Sequence, residues 1–218
     1  MEEAGYPLIL KLVGTKCLVV GGGPVAERKT ASLLAAGAKV TLLAPALTAN
    51  LAGWAAEGKI LWQERNVQTG DVAESGARLV FAACGDRSVN RSVCAEAEEA
   101  GCLSNNVDEP EEGSFTVPAV VRRGDLVIAV STGGASPTAA RTLAREIADR
   151  YGEDYATYTA FLREVREHVK ASTADKELRR RLLKEAAIGE PALAAIREGT
   201  FEVYRETFLR RIREEAGS

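Results

Sequence analysis

The chain has 218 residues, 46% hydrophobic and 27% charged, with 28 basic and 31 acidic side chains and a formal net charge of −3. That apolar share suits a folded domain with a real core and excludes global disorder. No run of about 18 apolar residues offers a membrane span, and the near-neutral balance argues against a nucleic-acid binder that works by bulk charge.

The start, Met1-Glu2-Glu3, lacks the basic and apolar regions of a secretory leader. A cytoplasmic protein with reduced thiols is therefore expected. Cys17, Cys84, Cys94 and Cys102 contain no C-x-x-C pair and His168 is the sole histidine, so no metal site is expected.

In chain order, Lys16–Val20 reads as a buried strand stopped by three glycines. Ala26–Ala36 reads as a helix closed by Gly37. Lys39–Leu43 is a second buried strand, Leu47–Glu57 a helix, Ile60–Trp62 a short strand and Arg78–Ala83 another apolar strand. Ser88–Ala100 is a helix closed by Gly101, and Leu103–Asn106 begins an extended segment. Strands and helices in alternation, with apolar strands throughout, predict an α/β fold: a Rossmann-like parallel sheet covered on both faces. Further on, Ser114–Val121 and Asp125–Ser131 are β-rich, joined by Arg122-Arg123-Gly124 as in a hairpin, and a helix opens near Thr138.

The remainder is helical and densely charged, with 13 Lys/Arg and 13 Asp/Glu in residues 151–218. Tyr155, Tyr158, Leu162, Val165 and Val169 recur at helical spacing, as do Phe201, Tyr204, Phe208 and Ile212. A small bundle would bury these stripes internally, and a second subunit would also cover them. The number of aromatics in so short a tail favours a homodimer. Arg179-Arg180-Arg181 alternates with nearby acids and reads as a solvated face, and His168 as a solvated or partner-facing side chain.

Gly21-Gly22-Gly23-Pro24-Val25-Ala26 fits G-x-G-x-x-A between a strand and a helix. Gly21 allows the tight turn, Gly23 lets backbone approach a pyrophosphate, and Ala26 permits close helix–strand packing. The helix start then offers unpaired N–H groups to the anion. The acid usual at the end of the second strand is missing from Ala38–Ala46, so backbone near Ala44-Pro45-Ala46 must hold the ribose. No arginine stands there for a 2′-phosphate, which favours NAD over NADP.

Asn105-Asn106-Val107-Asp108-Glu109-Pro110 lies where a strand is expected to end. Asp108 suits a general acid/base, while Asn, Asp and Pro equally suit a turn. Ser131-Thr132-Gly133-Gly134-Ala135-Ser136-Pro137, with Arg141 one turn later, suits either a carboxylate grip or a capped helix start. A non-catalytic module that senses NAD(H) would keep the glycine loop without needing Asp108 or the Ser131–Pro137 loop.

Taken in order, Tyr6-Pro7-Leu8, Val19–Lys29, Asn105–Asp108 with Ser114–Ala119, and Ser131–Pro137 with Ala140-Arg141 resemble the precorrin-2 dehydrogenase and sirohydrochlorin ferrochelatase family, the N-terminal type of siroheme synthases. The likeness covers about residues 6–150. It implies NAD-dependent oxidation of precorrin-2 to sirohydrochlorin by an intertwined homodimer, with ferrous iron as a second substrate in members that also chelate. It places the catalytic aspartate on Asp108. Nucleotide contacts fall on Gly23, Pro24, Val25, Pro45, Ala46, Ala83 and Cys84. Substrate contacts are expected at Asn106, Ser131, Thr132, Gly133, Gly134 and Ser136, with Arg28 and Arg141 as carboxylate partners. Three regions follow: a dinucleotide-binding domain over 1–112, a dimerisation and substrate-loop region over 113–150, and a helical domain over 151–218. Thr132 stands where some members carry a phosphorylated serine, and that regulation is not carried over. Longer members add a methyltransferase, for which 218 residues leave no room, so a separate enzyme is expected to supply precorrin-2.

Overall fold

A computed structural model describes residues 5–216. Met1-Glu2-Glu3, on which the expectation of no leader rests, lies outside the described residues. The chain forms two compact units that meet between Val117 and Pro118. The expected regions 113–150 and 151–218 thus share the second unit, apart from residues 113–117.

The first unit is built on a five-stranded, wholly parallel sheet in the order β3-β2-β1-β4-β5. Its strands are β1 (Lys16–Val20), β2 (Lys39–Leu43), β3 (Ile60–Gln63), β4 (Leu79–Ala82) and β5 (Leu103–Asn106). The crossovers carry α1 (Pro24–Ala35), α2 (Ala49–Ala56), α3 (Asp71–Ser75) and α4 (Arg87–Glu99). Side chains alternate between faces. Cys17, Val19, Val40, Leu42, Leu79 and Phe81 pack under α1 and α2, while Leu18, Val20, Leu43, Val80 and Ala82 meet α3 and α4. Burial on both faces explains why these strands read as unbroken apolar runs.

Helix α3 was not legible in the sequence. Its five residues are too few to show a period, and flanking Gly70 and Gly76 look like loop. Strand β5 differs from its neighbours because Ser104, Asn105 and Asn106 are buried and polar. Each meets the chain that returns along it. Ser104 N–H donates to Ser114 Oγ at 2.8 Å, Asn105 Nδ2 to the Phe115 carbonyl at 2.9 Å, and Asn106 Nδ2 to Glu112 at 3.0 Å.

In the second unit, β6 (Ala119–Arg123) and β7 (Leu126–Val130) form an antiparallel hairpin. The predicted strand from Ser114 is shortened. The N–H groups of Ser114 and Phe115 both donate to the Ser104 carbonyl, and Pro118 has no N–H for a ladder. The turn is Gly124-Asp125, with Gly124 at φ +55°. Arg122 and Arg123, expected in the link, are therefore strand residues, and Asp125, expected to open the second strand, lies in the turn.

Helices α5 (Pro137–Arg150), α6 (Asp154–Ser172), α7 (Lys176–Ala186), α8 (Glu190–Arg197) and α9 (Phe201–Ala216) complete this unit. The aromatic stripes close on one another within the chain. Phe161 meets Phe201, Tyr204 and Phe208 edge-on at 5.5–5.8 Å, and Tyr158 donates to the Ala186 carbonyl at 3.2 Å. Internal packing, one of the two arrangements expected for these stripes, thus buries them within the chain. His168 is half-buried on α6, with Nδ1 3.3 Å from the Glu164 carbonyl. Among the described residues no helix is long and apolar enough to cross a membrane, and no His/Cys/Asp/Glu group gathers around a metal position. All four cysteines are free, and burial pushes the Cys17 thiol up to about 11.

Candidate dinucleotide cleft and acid

The C-terminal ends of β1, β2 and β4 open into a cleft of about 710 Å³. Its walls include Gly21, Gly23, Ala44, Pro45, Ala46, Ala83 and Cys84, so seven of the nine expected cofactor positions come together within one unit. Pro24 and Val25 are exposed in the first turn of α1. Pro24 takes the position where a missing N–H costs no helical bond.

The shape of the cleft depends on two glycines. Gly21 sits at φ +127°, and a Cβ there would collide with the Ala83 carbonyl. A Cβ on Gly22 would collide with the Ala46 carbonyl. Gly22 stands at the variable position of the motif. In the structure it is where the glycine loop and the β2–α2 loop touch, and Thr48 N–H donates to its carbonyl at 3.0 Å. Gly23 has open space where its side chain would be. The wall is therefore backbone, with the free N–H groups of the start of α1 behind it. A pyrophosphate fits such a cradle.

The outer loop is held by side chains that motif spacing did not reveal. Trp62 Nε1 donates to the Ala44 carbonyl at 2.9 Å. Thr48 caps α2 and donates to Glu27 at 2.5 Å, and Asn50 donates to the other Glu27 oxygen at 2.7 Å. These bonds, Thr48 first, hold the Glu27 carboxyl below the usual range. A larger hollow of about 1,160 Å³ lies along β2 and β3 and lacks the glycine loop. The 710 Å³ cleft is the better candidate, because it sits at the strand ends where such sheets bind ligands.

Asp108 follows β5 and is exposed. Asn90 of α4 donates to its Oδ2 at 2.9 Å. Asn106 is 1% exposed, and its Oδ1 accepts from the N–H groups of Asp108 and Glu109 at 3.1 and 3.2 Å. Its amide is thus engaged with the turn through both its oxygen and its nitrogen. Arg91 ties the same turn to α4 through Glu112 at 2.6 Å and Glu109 at 3.2 Å. The turn reading of this segment describes this geometry.

Arg28 is exposed on α1. The Ser131–Pro137 loop belongs to the second unit and is a capped helix start. Ser136 Oγ accepts from Ala139 N–H at 3.1 Å, and Thr132 Oγ1 accepts from Ser136 N–H at 3.0 Å. Ser131 Oγ accepts from Gly133 N–H at 3.2 Å. Gly133 and Gly134 have positive φ and open space beside them, and Arg141 is exposed. Arg123 is engaged with the Ala148 carbonyl and Glu153.

Sheet order, glycine loop and cleft define a Rossmann-type protein whose first unit carries a cleft suited to a dinucleotide. Residues 8–119 match an NAD(P)-binding family, residues 123–150 the central region of sirohaem biosynthesis proteins, and residues 155–188 the SirC C-terminal domain. The siroheme synthase of Gluconacetobacter diazotrophicus is 40% identical over 198 residues, covering 90% of this chain and 42% of that protein. That of Chromobacterium violaceum is 36% identical over 207 residues, covering 95% and 43%. The chain thus spans under half the length of these relatives. A solved structure of SirC, precorrin-2 dehydrogenase, superposes with a TM-score of 0.82 at 30% identity, covering 96% of this chain and 100% of that one. The chain belongs to the SirC and siroheme-synthase family.

Proposed function

We propose that the chain oxidises precorrin-2 to sirohydrochlorin with NAD. The observation that carries this reading is the exposed Asp108 carboxylate, held by Asn90, which also holds the peptide of Cys84 in the cleft wall.

NAD, when bound, supplies the hydride acceptor. The chain's own residues do the rest. Gly21–Gly23 and the start of α1 orient the pyrophosphate, and the Ala44–Ala46 backbone faces the ribose. Asp108 takes the proton that leaves the macrocycle as the hydride departs, at Oδ1, since Oδ2 already accepts from Asn90. Removal of a hydride and a proton balances the two hydrogens lost between precorrin-2 and sirohydrochlorin. Arg28 and Arg141 are assigned to substrate carboxylates, with the hydroxyls and backbone of Ser131, Thr132, Gly133, Gly134 and Ser136 as further donors.

NAD is favoured over NADP because, among the described residues, the cleft wall contains no Lys or Arg and Asp86 is its one charged residue. The Ala44–Ala46 backbone assigned to the ribose offers a 2′-phosphate no cation among the described lining residues. The hairpin and α5 are assigned to a homodimer interface. A two-stranded sheet is marginal alone, and Val120 on β6 is 46% exposed. Light scattering at micromolar concentration tests that assignment, and a monomer would refute it. The compartment assigned is the cytoplasm.

The decisive assay follows NADH absorbance with precorrin-2. Asp108→Ala should turn over roughly 100-fold more slowly or worse, and wild-type turnover by that variant would overturn the assignment. NAD binding without turnover by the wild-type chain would favour the sensing module. Ferrous iron would enter as a second substrate, with Asp108 taking the pyrrole protons. Incubating sirohydrochlorin with iron and comparing wild type with Asp108→Ala tests this, and no rate above background leaves a dehydrogenase alone.

A further inference from the structure

Asn90 had no place in the motif reading, yet it is 0% exposed and makes four hydrogen bonds. Its Oδ1 accepts from Cys84 N–H and Cys84 Sγ, both at 3.1 Å. Its Nδ2 donates to the Cys84 carbonyl at 3.0 Å and to Asp108 Oδ2 at 2.9 Å. Two donors face two acceptors, and the oxygen faces two donors. The reversed amide would set oxygen against a carbonyl and a carboxylate, so the orientation follows from the chemistry.

The position is costly to fill with a carboxamide. Asn90 heads the stripe Val93, Cys94 and Ala97, with which α4 packs on the sheet. A polar group at such a place persists only when fully paired. Here the pairing joins two loops that the sequence keeps 24 residues apart, the cleft wall at Cys84 and the turn at Asp108.

We propose that Asn90 is a positioning residue that fixes the Asp108 carboxylate and ties it to the Cys84 peptide, so that one buried amide sets the base against the dinucleotide cleft. This rests on the reading of Asp108 as the base. The other charged or titratable groups of the first unit around that carboxylate are the Cys84 thiol, Arg87 and Arg91 on α4, and Glu109 and Glu112 on the turn. The two arginines are paired with the two glutamates. Asn90 is the neutral donor that reaches Asp108 directly.

The test uses the full chain with precorrin-2 and NAD, with folding checked by circular dichroism. Asn90→Asp replaces the donor by a second acid beside Asp108. It should lower kcat roughly 10-fold near neutral pH and move the acid limb of the kcat profile upward in pH, because a neighbouring carboxylate disfavours ionisation. KM for precorrin-2 should stay within about threefold, since a group acting through the base contributes little to ground-state binding. Asn90→Ala should lower kcat in the same way without the second charge.

A measurement on the wild-type chain does not depend on either variant folding. With asparagine amides labelled by ¹⁵N, the Asn90 Nδ2 resonance should follow the Asp108 titration and lose that dependence in Asp108→Asn. A folded Asn90→Asp with wild-type kcat and an unmoved acid limb overturns the proposal, as does an Asn90 resonance that ignores Asp108. If Asp108→Asn itself turns over normally, the underlying assignment of the base falls instead.

Discussion

In the first unit Val20, Leu43 and Ala82 end beneath loops of Gly, Ala and Pro, and the space above them stays open. In the second, Phe161 is ringed by Phe201, Tyr204 and Phe208, with Val165, Val169 and Ile212 fully buried beside it. Both units bury apolar side chains, but they leave different surfaces. A parallel sheet directs all its strand ends to one edge, where small residues leave backbone N–H groups facing a cleft. A bundle turns its large side chains inward and shows charge outward, as in the Arg205–Glu164 pair at 2.5 and 2.7 Å. The cleft therefore forms in the unit whose strands end in small residues and glycine-rich loops.

The contrast can be broken most severely at Phe161. Phe161→Ala should cost about 3–5 kcal/mol of stability, read as a lowered midpoint in urea, while the dissociation constant for NAD stays within about twofold in buffer where the variant is folded. A large loss of NAD affinity there would show that the first unit does not build its cleft by itself.

Gly22→Val attacks the other side. Its Cβ would have to displace the Ala46 carbonyl, at about 1–3 kcal/mol. Expressed in the cleft, this is roughly 10- to 100-fold in NAD affinity by calorimetry, with the bundle's near-ultraviolet aromatic signal unchanged. A change in that signal alongside normal binding would contradict the division of labour.

Ala46→Arg sharpens the comparison. Ala46 is exposed on a wall without cations, so a new guanidinium should raise NADP affinity about tenfold. An unchanged ratio of NAD to NADP affinity would show that the ribose lies elsewhere.

The smallest effect concerns Glu27, whose hydrogen bonds from Thr48 and Asn50 lower its folded pKa. The sign follows from linkage: stability from a lowered carboxyl is complete above the unfolded value and is lost as pH falls through the folded one. Glu27→Gln should therefore be less stable than wild type at pH 7, with the difference shrinking below about pH 4.5. A gap of constant size down to pH 3, by denaturant titration, would rule out the ionised carboxylate as its source.

Much of the first unit could be read directly from residues. Lys16–Val20 and Lys39–Leu43 match their strands residue for residue, because a strand buried on both faces must be apolar throughout. The glycine motif placed the cleft, since only glycine satisfies that turn. The tail was legible as helix but not in its packing. Phe161 lies outside the predicted stripe, and the aromatics of the two stripes cover one another as in the internal bundle. Periodicity fixes a helix face without saying what meets it.

Local order in the sequence determined the α/β class, the glycine turn and the candidacy of Asp108, because each depends on neighbours within a few residues. Tertiary structure alone decided that Gly22 meets Ala46, that Glu27 supports the outer loop, and that Asn90 joins Cys84 to Asp108. Apart from the six-residue step from Cys84 to Asn90, those contacts cross 18 to 24 residues of chain. They exist only because parallel strands bring distant loops to one edge of the sheet, where a buried polar group must find its partners.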